Sequence, residues 1–547
     1  MDAEGIIKLC DKLKAEHANW TGVWADCARY CLPNASPFAN YSARTRGSKK
    51  RQPIDITGVI ANSRLASYLY SNTVYSDTQW FSIVPDYEGS IQEDLKDEIL
   101  ERELQRASKK VLKVIASSNF DSIYLRMLRN YCGFGTGVFY SEFNDEGELV
   151  CRQWQISDVY VAENSKGSID TVLRTFGYTA RQAVQEFGLE NVSEEIRKAF
   201  VDKDSQNKRF DFIHAVFPRT KRDKRKKIPS EMPIASVYVE TESKKIVYEG
   251  GYRKMPYQTP RFFDTGEIYG RSSAMEAIPA LRSLNACIWA YLKNIEGQSK
   301  PIVFAPSDVY DRISTEFGSV NPWDSQQGDI KIWTSTGDTR SPLEFAEQKR
   351  EEVSKIFYND VFQYLEDRKN MTATEAQLRY DEMIQAVSPV LSNLQSEFFS
   401  PFIERVVLEL FERGEIEFSK RYLSKDGKMP KFKIVYITRL DTKLKSVLSA
   451  NIINFIRTVS EICIALANAP QVSAYVDFDK IIHTIASNNN VSDEILADEK
   501  AVKEALEQMN QQAQMQQLSG LLDKINVQKT PEKNSIAEAM LNGNIPQ

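Results

Sequence analysis

A chain of 547 residues, 42% hydrophobic and 27% charged, has the composition of a folded protein with a sizeable core and room for roughly two to four domains. It holds no run of about 18 apolar residues, which argues against a transmembrane helix. A net charge of −5 argues against a protein that grips nucleic acid over a broad surface.

The N-terminal stretch MDAEGIIKLCDKLKAEH mixes charges of both signs and lacks the apolar core and cleavage site of a signal peptide, so a cytoplasmic protein is expected. Residues 3–31 read as one long amphipathic helix, ended by Leu32-Pro33-Asn34. Ile7, Cys10, Leu13, Trp20, Trp24, Cys27 and Cys31 fall on one stripe of it. The chain has seven cysteines and no C-x-x-C pair, so those on the stripe read as small core hydrophobes with reduced thiols. A loop with five cations follows, Arg44, Arg46, Lys49, Lys50 and Arg51. It is either a solvated loop or a contact for nucleic acid or an acidic partner.

Helices are expected at about 56–75, 91–117 and 121–132. The acids and bases of EDLKDEILERELQR read as a solvated helical face. Gly133-Phe134-Gly135-Thr136-Gly137 follows a helix and precedes a strand, the reverse of a dinucleotide fingerprint, and reads as a flexible turn. Beyond it, aromatic and β-branched runs predict strands through VFYSEFNDEGELVCRQWQISDVYVAEN and IDTVLRTFGYT, then a capped short helix from Thr179. Strands are also expected at about 208–217 and 234–249. Between them lies RTKRDKRKK, whose Lys221, Arg222, Lys224, Arg225, Lys226 and Lys227 suit a flexible hairpin tip or a basic contact patch.

Helix returns at Ser272, with Ile278, Leu281, Leu284, Ile288, Leu292 and Ile295 on one stripe and Pro279 near its start. A mixed strand-and-loop segment covers about 299–342, and a second helix about 343–367. Arg368-Lys369-Asn370-Met371 then forms a short hinge, because Thr372 and Glu375 make a capping box that restarts a helix near Ala373. Ser388-Pro389 should kink or break that helix, which continues to about Arg413. EIEFSKRYLSKDGKMPKFKIVYI reads as strand-turn-strand, helices are expected at about 441–468, 477–488 and 492–517, and the Gln-rich end reads as a frayed tail.

Chemistry is hard to find. The three histidines, His17, His214 and His483, lie in different segments without a second metal-type ligand at helical or hairpin spacing. No P-loop and no G-x-S-x-G nucleophile elbow occurs. No catalytic constellation, metal site or cofactor site emerges, and a structural role is expected.

Several stretches in this order resemble the portal, or head-to-tail connector, proteins of short-tailed bacteriophages. They are ANWTGVWADCARYCLP, NSRLASYLYSNTVYSDTQWFSIVP, SNFDSIYLRMLRNYCGFGTGVFYSEF, GEIYGRSSAMEAIPALRSLNACIWAYLKNIEGQSKP and RKNMTATEAQLRYDEM with the later LQSEFFSPFIERV, together spanning about residues 15–415. The resemblance implies an α+β, mainly helical portal-type fold assembled as a ring with a central channel. Residues 1–271 would be the wing, 272–298 the first stem helix, 299–342 the clip, and 343–367 the second stem helix. Residues 368–372 would be the tunnel loop, 373–440 the long kinked helix and a return to the wing, 441–517 the crown, and 518–547 a C-terminal tail.

The same resemblance gives Arg368, Lys369, Asn370 and Met371 a role as mobile side chains touching DNA at the channel's constriction. It implies a non-enzymatic homo-oligomer of about twelve subunits at one capsid vertex. Its partners would be double-stranded DNA, the terminase large subunit, the major capsid and scaffolding proteins and tail adaptor proteins, with no membrane. Assembly would occur in the host cytoplasm and residence in the virion. An acidic chain suits a conduit through which DNA must slide, since many phosphate contacts would make it stick. The alternative is a helical adaptor or structural virion protein that forms no ring.

Overall fold

The structure is a computed structural model. It describes residues 1–33, 53–74, 79–86, 98–220, 228–299, 302–304, 331–333, 340–359, 387–423 and 429–437, with Arg457, Thr458 and Ile481. The chain divides into two compact units, Met1–Ile437 and Thr438–Gln547. Of the second, only Arg457, Thr458 and Ile481 are described, each of them helical, and the rest of the helices expected over 441–517 lies outside the described residues.

In the first unit, α1 (Ala3–Tyr30) starts at Asp2, whose carboxylate accepts the Gly5 backbone N–H at 3.1 Å. Of the expected stripe, Cys10, Leu13, Trp24, Cys27 and Cys31 are buried, whereas Ile7 and Trp20 are half-buried and Ile6 is buried in place of Ile7. Ile6, Cys10 and Leu13 pack on a sheet, and Trp24, Cys27 and Cys31 enter the main core. Burial pushes the Cys10 thiol up to about 11 and the Cys31 thiol up to about 12, so both are inert core groups. α2 (Thr57–Thr73), α3 (Glu98–Ser117) and α4 (Phe120–Phe134) complete the helical layer, with α3 packed on α4 and α4 on α2.

A five-stranded antiparallel sheet runs in the order β4 (Val159–Glu163), β5 (Ile169–Thr179), β6 (Arg209–Pro218), β7 (Ile234–Glu240), β8 (Lys245–Tyr252). Alternation along β6 fills two cores at once. Ile213 and Ala215 face α1, while Phe210 and Phe212 face α5 (Ala180–Phe187) and α6 (Glu194–Val201). α5 begins with a full capping box, Thr179 to Gln182 and back. A smaller sheet orders β3 (Leu149–Gln153), β2 (Phe139–Phe143) and β9 (Tyr257–Gln258).

Three expectations are corrected. The glycine patch between α4 and β2 is not a flexible turn, because all five of its residues are buried. Gly135 closes α4 at φ +77°, and a Cβ there would collide with the Gly270 carbonyl oxygen. The expected hairpin in 415–437 does not form either. Described residues 415–423 contain no strand; Ile416 and Phe418 are buried instead. The later strand, β12 (Phe432–Tyr436), pairs with β1 (Phe81–Pro85), for which no strand was expected. Finally, the helix expected over 343–367 is interrupted. α8 (Arg340–Ile356) ends in a turn at Phe357-Tyr358, with Tyr358 at φ +57°.

The last long helix is described from Val387. Pro389 lies within helix, and the departure from α geometry falls at a π turn, Gln395–Phe399, before α9 (Ser400–Glu412). Two rings from this segment, Phe398 and Phe402, lie nearly parallel at 5.8 Å. They continue onto Tyr124 and Phe120 of α4, whose rings are 5.3 Å apart.

Candidate functional site: the helix pair α7–α8 and its anchors

The residues singled out from sequence as sites, 44–51, 221–227 and the hinge 368–371, lie outside the described residues. The helices that lead toward that hinge are described. α7 (Ser273–Ser299) opens where the Ser272 hydroxyl accepts the Met275 N–H at 3.3 Å and donates to the Gly133 carbonyl at 3.0 Å. Pro279 is the seventh residue of this helix rather than part of its first turn.

α7 has two unlike halves. From Ser273 to Leu284 it is core, with Ala277, Ile278, Leu281 and Leu284 buried. From Asn285 onward none of its described residues is buried; Trp289 is 55% exposed and Leu292 48% exposed. α8 packs along α7, and the Cys287 thiol donates to the Pro342 carbonyl at 3.1 Å. Between the helices, β10 (Ile302–Phe304) and β11 (Lys331–Trp333) pair antiparallel.

Asn285, next to Leu284, stands where the buried part of α7 ends, and its side chain is tied to another segment. Its side-chain oxygen accepts the backbone N–H groups of Ile54 and Asp55 at 2.9 and 3.1 Å, and its amide donates to the Leu281 carbonyl at 2.9 Å. Asp55 in turn accepts Arg350 of α8 at 2.9 and 3.1 Å, and the Thr57 N–H at 2.8 Å. Burial draws the Asp55 carboxyl's pKa upward. The hydrogen bonds from Thr57 and Arg350, with the guanidinium charge, outweigh it, and the net shift is downward. One short segment before α2 thus holds both helices of the pair.

A second anchor fixes the π turn. Arg261, whose side chain is 6% exposed, donates to Glu163 at 2.6 Å from Nη1 and to Glu397 at 3.0 and 2.5 Å from Nε and Nη2. Its backbone N–H reaches the other Glu397 oxygen at 2.7 Å, and Nη2 also donates to the Gly167 carbonyl. Tyr131 donates to the carbonyls of Arg261 and Val390, both at 3.2 Å. The five-stranded sheet and the π turn are therefore tied at one guanidinium, and α4 is tied to the backbone carbonyl of the same residue. No local spacing signals this role of Arg261, because Glu163 and Glu397 are far from it in sequence.

The described histidines are structural. His17 contacts the Ile156 carbonyl at 2.9 Å; His214 bonds Tyr257 and Ser236 and stacks on Tyr238 at 4.1 Å. Burial lowers the pKa of both, so they stay neutral. Among the described residues no group of His, Cys, Asp and Glu could hold a metal, and no helix is long and apolar enough to cross a membrane. The site is thus mechanical: two packed helices with polar anchors at one part and uncovered apolar side chains at another.

The model of the bacteriophage head to tail connecting protein family matches residues 3–496. The chain belongs to that family. It is 24% identical over 529 residues to the portal protein of Salmonella phage epsilon15, covering 94% of this chain and 92% of the relative. It is 27% identical over 417 residues to the probable portal protein of Bordetella phage BPP-1, covering 74% of each. The family is a structural one, not an enzyme family, and its members connect head to tail.

Proposed function

We propose that this chain is the portal protein of a short-tailed phage, a ring of about twelve subunits at one capsid vertex through which DNA enters and leaves. Residues 1–271 would form the wing, α7 and α8 the stem, the segment between them the clip, and 441–517 the crown. The clip would dock the terminase large subunit and later tail adaptor proteins. The outer parts would meet the major capsid and scaffolding proteins. The hinge Arg368-Lys369-Asn370-Met371 would touch passing DNA, and the basic segments 44–51 and 219–227 would lie on the wing, away from most of the channel. The protein would assemble in the host cytoplasm and remain in the virion.

The observation that carries the ring reading is the uncovered second half of α7. A helix that buries Leu281 and Leu284 and then leaves Trp289 and Leu292 in solvent exposes apolar surface that a neighbouring subunit can cover. The test is sedimentation of Trp289→Ser/Leu292→Ser beside the unaltered protein. The variant should keep its helical circular dichroism and assemble at least about tenfold less readily, since burying two large apolar side chains stabilises a contact by a few kcal/mol. Unchanged assembly would reject this surface as the packing face. For the hinge, Arg368→Ala/Lys369→Ala should form rings yet package or retain DNA poorly; loss of rings would make the hinge a structural turn.

A further inference from the structure

The uncovered apolar face does not say which way neighbouring copies point. We propose that a basic stripe on α3 and an acidic stripe on α8 are the complementary halves of the contact between neighbouring copies of this chain. This inference rests on the ring reading above, and it adds that charge sets the head-to-tail direction of the ring.

On α3, Arg106, Lys109 and Lys113 recur at spacings of three and four, so they share one face, and all three are exposed. None of them has a carboxylate partner among the described residues. Lys110, one step off the stripe, is by contrast paired with Glu415 at 2.8 Å. On α8, Glu344, Glu347 and Glu351 recur at the same spacings and are exposed. Glu347 contacts Arg350 of its own helix at 2.9 Å; Glu344 and Glu351 have no cation partner among the described residues.

The two stripes sit on helices that are packed through others rather than on one another. α3 packs on α4, α4 on α2, and α2 on α8. A ring needs two different faces that match, one on each side of the subunit. Pairing α3 with α3, or α8 with α8, would set like charges together and is disfavoured. Pairing α3 of one copy with α8 of the next is favoured and repeats without limit until the ring closes. Local complementarity of this kind offsets the repulsion between copies that each carry a net charge of −5.

The test is charge reversal, read by sedimentation and negative-stain imaging of the full chain. Arg106→Glu/Lys109→Glu/Lys113→Glu and, separately, Glu344→Lys/Glu351→Lys should each raise the concentration for half-assembly by about tenfold or more at low salt. Circular dichroism identical to the unaltered protein shows that each variant is folded. Combining both sets in one chain should restore rings. Mixing the two variants should also restore them, because each then meets its complement on both sides.

Rings that form normally in either variant would overturn the proposal, as would a folded combined variant that stays unassembled. If the α3 variant keeps its rings and loses affinity for a short DNA duplex, the stripe serves phosphate and the inter-copy contact is rejected. Failure of the unaltered protein to form rings at any concentration would remove the ring reading itself and this inference with it.

Discussion

Arg261 is the side chain on which most of the described architecture converges. Its guanidinium is surrounded by Glu163, Glu397 and Asp264, so removing it leaves three carboxylates facing one another around an empty, mostly buried position. Arg261→Met should therefore destabilise the first unit by about 3 kcal/mol, the usual scale for breaking a buried ion pair from one side. Glu397→Gln should cost less, since Glu163 and Asp264 still neutralise the cation. Thermal denaturation followed by circular dichroism would show the order, and an Arg261→Met protein as stable as the unaltered one would remove the anchor from the account. Asp55 works the same way on a smaller scale, joining α7 and α8 through Asn285 and Arg350.

At the scale of elements, what could be read from sequence was what local pattern determines. The bounds of β5 and the capped helix start at Thr179 followed from a run of aromatic and β-branched residues and from a capping residue, both short-range signals. The pairing of β1 with β12 was invisible, because five residues at 81–85 show no hairpin turn and their partner lies at 432–436. The same reason hid Arg261 and Asp55. Asn285 gave no signal in the apolar stripe either, because the segment it holds lies more than two hundred positions away. The turn at Phe357-Tyr358 carries no Gly or Pro to announce it, and Tyr358 at positive φ is a conformation that sequence patterns assign to other residues. The candidate site itself was legible only in part: the hinge and basic segments came from the sequence and lie outside the described residues, whereas the anchors came from the structure.

The glycine patch gives this scale its own prediction. Gly135→Ala meets both an unfavourable positive φ and the Gly270 carbonyl, whereas Gly167→Ala has φ +76° and open space around it. The second substitution should cost about 1 kcal/mol from backbone strain alone, and the first clearly more. Equal melting temperatures for the two variants would show that the turn at Gly135 yields rather than holds.

For the whole molecule, the ring is the proposal from which the others follow: copies of an acidic chain of a structural family would close on themselves. Family membership over residues 3–496 supplies the head-to-tail connecting role. The two-sided demands of a closed ring give a reason for the uncovered half of α7 and for stripes of opposite charge on α3 and α8. The measurement that tests this most directly is single-particle mass together with negative-stain imaging of the purified full-length chain over a range of concentration and salt. The account predicts rings of about a dozen subunits with a central hole, held by heterologous contacts. A stable monomer or dimer at every concentration and salt would contradict it and leave a helical adaptor of the virion as the reading to pursue.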